Sequence, residues 1–168
     1  MLTSNEEKYL SKIPEEKIVQ IQPYDPRTVD TVDSIRNKLR LLNLDHDIRW
    51  IGASALGLAG QNDIDLHILS DPIEWENLSE KVTKIFGRRV QGISIYKWEF
   101  KTNGFDVELY LSDPENEGMK SQLQVFEILR SSKRLSGEYE NMKLGFDGKS
   151  FRDYMRAKYE FYHKVLEK

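Results

Sequence analysis

The chain has 168 residues, with 25 Lys and Arg against 28 Asp and Glu for a net charge of −3, and it has no cysteine. That length fits one domain with a proper core, and the missing cysteines exclude disulfides and thiolate metal sites, making the cytoplasm the expected compartment. No apolar run approaches the roughly eighteen residues of a membrane span, and the acidic balance argues against bulk, sequence-blind nucleic-acid binding.

In chain order, Ser4 followed by Glu6 and Glu7 predicts a helix start, running to about Lys12 before Pro14. Ile18 to Ile21 reads as a short strand, and Pro23-Tyr24-Asp25-Pro26 as a turn. From Thr28, Val29, Val32, Ile35, Leu39 and Leu42 keep helical spacing, predicting an amphipathic helix to about Leu42. Ile48 to Gly52 is a predicted strand. A flexible, nearly uncharged glycine-rich segment follows, and then a strand from Asp63 to Leu69. Trp75, Leu78, Val82 and Ile85 mark a helix from Glu74 to Phe86. Two β-rich runs, Ile93 to Phe100 and Phe105 to Leu111, flank Asn103-Gly104, the strongest short-range hairpin signal. Residues 119–143 read as one or two helices punctuated near Ser136-Gly137, and Phe151 to Leu166 as an aromatic-rich final helix. The expected fold is α+β, a mixed sheet covered by helices with the acid-bearing strand near its middle.

Chemistry concentrates at residues 51–69. Asp63 and Asp65 stand two apart within an apolar run, so a strand puts both on one face and Ile64, Leu66 and Ile68 on the other. Close carboxylates raise each other's pKa unless a cation neutralises them, and a hard divalent ion with oxygen ligands is the usual cation. The lead-in from Gly52 through Ala53 and Ser54 offers N–H groups that approach phosphate without an intervening side chain. On the hairpin strand, Asp106 and Glu108 share a face opposite Val107 and Leu109. If that strand lies beside the first, three or four acids converge, enough for two divalent ions about 4 Å apart. The bland alternative is a solvated strand face carrying alternating acids.

Apolar-Gly-small, a gap of nine residues or more, then an apolar-flanked Asp-x-Asp, resembles the signature of the polymerase-β-type nucleotidyltransferase superfamily. Within it, residues 20–166 resemble the GrpB family. The turn Pro23-Tyr24-Asp25-Pro26, the segment Ile51-Gly52-Ala53-Ser54-Ala55-Leu56-Gly57-Leu58-Ala59-Gly60, the run from Leu129-Arg130 through Glu138-Tyr139 to Lys143, and Tyr154, Lys158 and Phe161 carry that resemblance. Ala53 stands where the superfamily usually has Ser or Gly, and Gln61 where the family commonly has Lys. Asp106-Val107-Glu108 replaces a common His-x-His and moves the chain toward the superfamily's three-acid form.

The resemblance implies a nucleotidyltransferase-like domain over residues 1–168, with residues 1–16 an N-terminal helical extension and 114–168 a C-terminal helical part packed against the sheet. It implies Mg²⁺ (or Mn²⁺) held by Asp63, Asp65 and Asp106, with Glu108 in reserve. An NTP would lie on Gly52, Ala53 and Ser54, with Lys143 and Lys158 toward its phosphates. Transfer of a nucleoside monophosphate to a small-molecule or protein hydroxyl follows, rather than to a long nucleic acid. The rival is a non-catalytic nucleotide- or partner-binding module. His67 shares the acids' face and reads as a polar neighbour; His46 and His163 read as surface residues, Arg152 and Arg156 as a solvated pair, and the aromatics of residues 151–162 as packing.

Overall fold

A computed structural model describes residues 1–90 and 96–167. Its helices are α1 (Ser4–Leu10), α2 (Arg27–Arg40), α3 (Trp75–Phe86), α4 (Glu117–Ser131), α5 (Lys133–Leu144) and α6 (Phe151–Leu166). Its strands are β1 (Asp47–Ile51), β2 (Asp63–Leu69), β3 (Lys97–Thr102) and β4 (Phe105–Ser112), in a four-stranded sheet ordered β1-β2-β4-β3. β2 is central, antiparallel to β1 and parallel to β4, while β3 and β4 form an antiparallel hairpin. This is the expected mixed α+β architecture.

Alternation along the strands sets its two faces. Ile64, Leu66, Ile68, Val107, Leu109, Leu111 and Trp98 are buried against Val32, Ile35 and Leu39 of α2 and Leu78 and Val82 of α3. The opposite face carries Asp63, Asp65, His67, Glu108, Tyr110 and Lys97. The hairpin turns on Asn103 and Gly104 at φ 52° and 85°, the paired positive values that a type I′ turn needs.

The C-terminal helices join the sheet through the glycine-rich segment. Leu56 and Leu58 pack into the cluster of Val125, Leu129, Leu135, Tyr139 and Val165. Ala59 enters a second cluster with Leu10, Ile13, Val19, Ile21, Phe151, Tyr154 and Met155.

Three local expectations need correction, and one lies partly outside the described residues. Ile18 to Ile21 forms no strand, because its partners are turns. Val19 exchanges hydrogen bonds with Lys149 and Gly148, and Gln22 with Gly60. The break between α4 and α5 falls at Ser132, whose hydroxyl caps the Leu135 amide at 3.3 Å, and Gly137 lies inside α5. Residues 93–95 of the predicted strand lie outside the described residues, and β3 runs on to Thr102. Arg156 and His163 are not idle: Arg156 meets Glu7 at 2.8 Å and His163 meets Glu6 at 2.9 Å, fastening α1 to α6.

Candidate functional site

The site begins where β1 stops. Gly52 takes φ +88°, and a Cβ there would stand 2.9 Å from Oδ2 of Asp65. Glycine is required on both counts. The chain then winds through a short 3₁₀ turn at Ser54–Leu56, closed by bonds from Leu56 and Leu58 to the Ala53 carbonyl. Ser54 is buried, accepts a hydrogen bond from the Trp50 indole at 3.2 Å, and shares a narrow cleft with Tyr24, Thr28, Asn62 and Asp63. Gly60 closes the segment, and a Cβ there would fall 2.8 Å from that of Ala53 and 3.1 Å from Nζ of Lys143. The small residues are what let Lys143 approach. Glu140 accepts the Ala59 amide at 2.7 Å and ties the turn to α5.

Gly52→Ala therefore tests the site locally. Positive φ costs an L-residue about 1–2 kcal/mol, and the new methyl displaces the Asp65 carboxylate as well. Gly104→Ala carries a similar φ of +85° with nothing within 4 Å. Melting should show comparable backbone cost in both variants, and ligand titration a defect in Gly52→Ala alone.

β2 presents Asp63 and Asp65, both half-buried, on the sheet face turned away from α2 and α3. Burial first, then the Asp63 charge, pushes the Asp65 carboxyl up to about 7, against an opposing pull from Lys158. Asp63 is also raised, chiefly by burial, with Lys158 and Lys143 pulling it back. Lys143 is 2% exposed. Burial first and repulsion from Lys158 next drive its ammonium down to about 7. Lys158 moves the other way. The phenolic oxygens of Tyr162, then of Tyr139 and Tyr154, and the Asp65 carboxylate hold it well above the usual lysine value despite burial. Its Nζ lies 5.7 Å from the Tyr162 ring centroid, Lys143 Nζ lies 5.1 Å from that of Tyr139, and the Tyr139 and Tyr162 hydroxyls stand 3.2 Å apart.

β4 stands beside β2, but its acids are engaged. Asp106 opposes Asp63 in register rather than Asp65, is 65% exposed, and pairs with Lys101 at 3.0 Å. Glu108 opposes Asp65, and its charge acts on both β2 acids. Glu108 accepts from the Tyr110 hydroxyl and, at 3.1 Å, from Lys97. Among the described residues, no three Asp, Glu or His side chains converge as a self-contained metal centre requires. The expectation that Asp106 completes the set beside Asp65 is corrected on this geometry. Asp63 and Asp65 remain a two-carboxylate donor set. That fits a Mg²⁺ whose other ligands arrive as water and substrate phosphates, and does not fit an ion caged by protein alone.

Lys143 is buried, with its Nζ against the Gly60 position of the glycine-rich segment. His67 donates or accepts at 2.8 Å with Ser112 and stacks on Tyr110 at 4.8 Å, while burial lowers its pKa to about 4. It is a neutral packing residue. The sequence reading takes Tyr139 and Tyr154 as marks of the resemblance and Tyr154 and Tyr162 as packing, and does not set them around the lysines. Tyr139 and Lys143 stand four apart, as do Tyr154, Lys158 and Tyr162, and that spacing on one helix face was the available signal.

The description "GrpB protein" belongs to the family model that matches residues 18–168. Among solved structures, the conserved protein GrpB from Enterococcus faecalis is similar at a TM-score of 0.68 and 17% identity, covering 88% of this chain and 97% of that one. A cytoplasmic RNA terminal U-transferase gives a TM-score of 0.43 and 17% identity, covering 84% of this chain and 47% of that one. A search of curated proteins returned no match. Among the described residues, no helix is long and apolar enough to cross a membrane.

Proposed function

The chain belongs to the GrpB family, and we propose that it is a nucleotidyltransferase that moves a nucleoside monophosphate from an NTP to an acceptor hydroxyl with Mg²⁺ or Mn²⁺. One observation carries the reading: Asp63 and Asp65 stand together, half-buried, on one strand face where each ionised carboxylate is costly. Structure alone gives no reason to keep two such acids, since apolar residues of similar size would serve β2 better.

In this reading Asp63 and Asp65 hold a divalent ion that neutralises them and arrives with the triphosphate. Bound there, the ion would offset charge on the phosphates. Gly52, Ala53 and Ser54 present backbone N–H groups to the β- and γ-phosphates, and Gly52 leaves Asp65 the room to stand there. The acceptor oxygen bonds to the α-phosphorus as the bond to pyrophosphate breaks. Glu108, in register with Asp65, is the remaining carboxylate for the acceptor's proton. The engagement of Glu108 by Lys97 and Tyr110 favours a second reading, a nucleotide-binding module without turnover.

Incubation with each α-labelled NTP and Mg²⁺ or Mn²⁺, with and without cell extract, separates the two. Label on a small molecule or on a protease-sensitive product, lost in Asp63→Asn, supports transfer. Nucleotide binding without label in any reaction supports the module. A net charge of −3 leaves little to neutralise a polyphosphate backbone. Accordingly tRNA, single-stranded RNA and DNA should show no mobility shift with sub-micromolar protein at near-physiological salt. A specific, salt-sensitive tRNA shift would make an RNA end the acceptor instead.

A further inference from the structure

We infer that Tyr110 is itself an acceptor, its phenolic oxygen taking the nucleoside monophosphate so that the chain nucleotidylates its own β4. The inference rests on the nucleotidyl-transfer reading above and names one acceptor for it. Strand register places the residues. β2 and β4 run parallel, with Asp65 opposite Glu108 and His67 opposite Tyr110, all four on the sheet face turned away from α2 and α3. Neighbouring strands lie about 4.8 Å apart, so Glu108 and Tyr110 stand directly beside the row that carries the acid pair.

Tyr110 is half-buried, and its hydroxyl donates to Oε2 of Glu108, two residues back along the strand. Residues two apart on a strand are roughly 7 Å apart, so the ring leans along β4 toward the level of Asp65 to make that bond. Two contacts hold it there. The ring stacks on His67 with centroids 4.8 Å apart and planes 9° apart, and His67 is held in turn by Ser112 at 2.8 Å. Lys97 bonds Oε1 of Glu108 at 3.1 Å and lies 5.5 Å from the Tyr110 ring centroid. A hydroxyl is thus already seated on the carboxylate that the proposed reaction needs for the acceptor's proton. Other tyrosines with a hydroxyl partner lack this placement. Tyr96 donates to Glu76 at 3.0 Å, but Glu76 belongs to α3, which covers the opposite face. Tyr139 and Tyr162 meet each other at 3.2 Å on the helical side.

In the transfer, the Tyr110 oxygen bonds to the α-phosphorus of the NTP as the bond to pyrophosphate breaks. The phenolic proton passes to Glu108 along the hydrogen bond already made, and pyrophosphate leaves. Burial, then the bond to Glu108, keeps the phenol protonated beforehand, so proton loss accompanies attack. The tethered nucleotide then occupies the acid-bearing face and excludes a second NTP, which limits the reaction to one event per chain.

Incubating the purified chain alone with each α-labelled NTP and Mn²⁺, followed by peptide mapping by mass spectrometry, tests this. At least one NTP should label the chain, to no more than one nucleotide per chain, on the peptide that holds Tyr110. The linkage should survive acid and hydroxylamine, as a phenolic phosphodiester does and a phosphoramidate or acyl phosphate does not. Tyr110→Phe and Asp65→Asn should each lower this labelling at least tenfold. Label confined to another residue would overturn the inference. So would NTP binding, read by equilibrium dialysis, with no label on the chain, and that result would leave the nucleotide-binding reading standing. Both results are read on the native chain, whether or not a variant folds. A native chain that binds no NTP would remove the reading itself, and the inference with it.

Discussion

At pH 7.5, the Asp65→Asn variant should melt several degrees above the native chain while losing at least a hundredfold in metal-dependent nucleotide affinity. Both effects follow from one carboxyl. Its folded pKa lies at about 7, against an ordinary 3.8, because burial and the Asp63 charge penalise the anion. A raised carboxyl contributes stability that is full below its unfolded pKa and lost as pH rises through its folded value. Above pH 7 that stability is gone and the anion is retained at a cost. At 1.36 kcal/mol per pKa unit, the upper bound is about 4 kcal/mol, and an asparagine that still needs hydrogen bonds recovers part of it. For a chain of this length each recovered kcal/mol moves the midpoint by about 2–4 °C. Circular dichroism melts and calorimetry on one preparation read both effects. A lower midpoint in Asp65→Asn would mean that the anion is structurally satisfied, and the argument for a functional acid would lose its main support.

Lys143 supplies the opposite slope. Its ammonium is depressed from 10.5 to about 7, chiefly by burial and next by Lys158. A depressed lysine contributes stability that is full above 10.5 and lost as pH falls through 7. Added to Asp65, whose contribution falls between about 4 and 7, this predicts a trough in the site's share of stability near neutral pH. Lys143→Met should remove the alkaline limb and raise stability at pH 7 by about 1–3 kcal/mol, short of the roughly 4–5 kcal/mol that the full shift would represent. Urea unfolding from pH 5 to 10 measures it. The variant's curve should be flat from 7 to 10 where the native curve climbs. An identical climb in both would assign the slope to other groups.

Strand, hairpin and helix positions were legible because they are written in local patterns. β2 follows from the alternation between Asp63 and Leu69, and the turn at Asn103-Gly104 from residues that tolerate positive φ. That turn also fixes which residues of β3 and β4 face each other. Counting outward from it pairs Lys101 with Asp106 and Lys97 with Tyr110, so the neutralising partner of Asp106 was available from spacing alone. The parallel register of β2 on β4 was not. It is set by packing over α2 and α3, and it is what brings Glu108 rather than Asp106 opposite Asp65. The lysines were legible by resemblance, but their depth was not. That Lys143 sits inside the fold depends on Ala53 and Gly60 leaving room across the chain, and no local pattern records it.

If Asp63 and Asp65 hold a nucleotide through a divalent ion, calorimetric titration of ATP into the native chain should give saturable binding near one ATP per chain in Mg²⁺ and none in excess EDTA. Binding that EDTA leaves unchanged, or no binding in either condition, would contradict it.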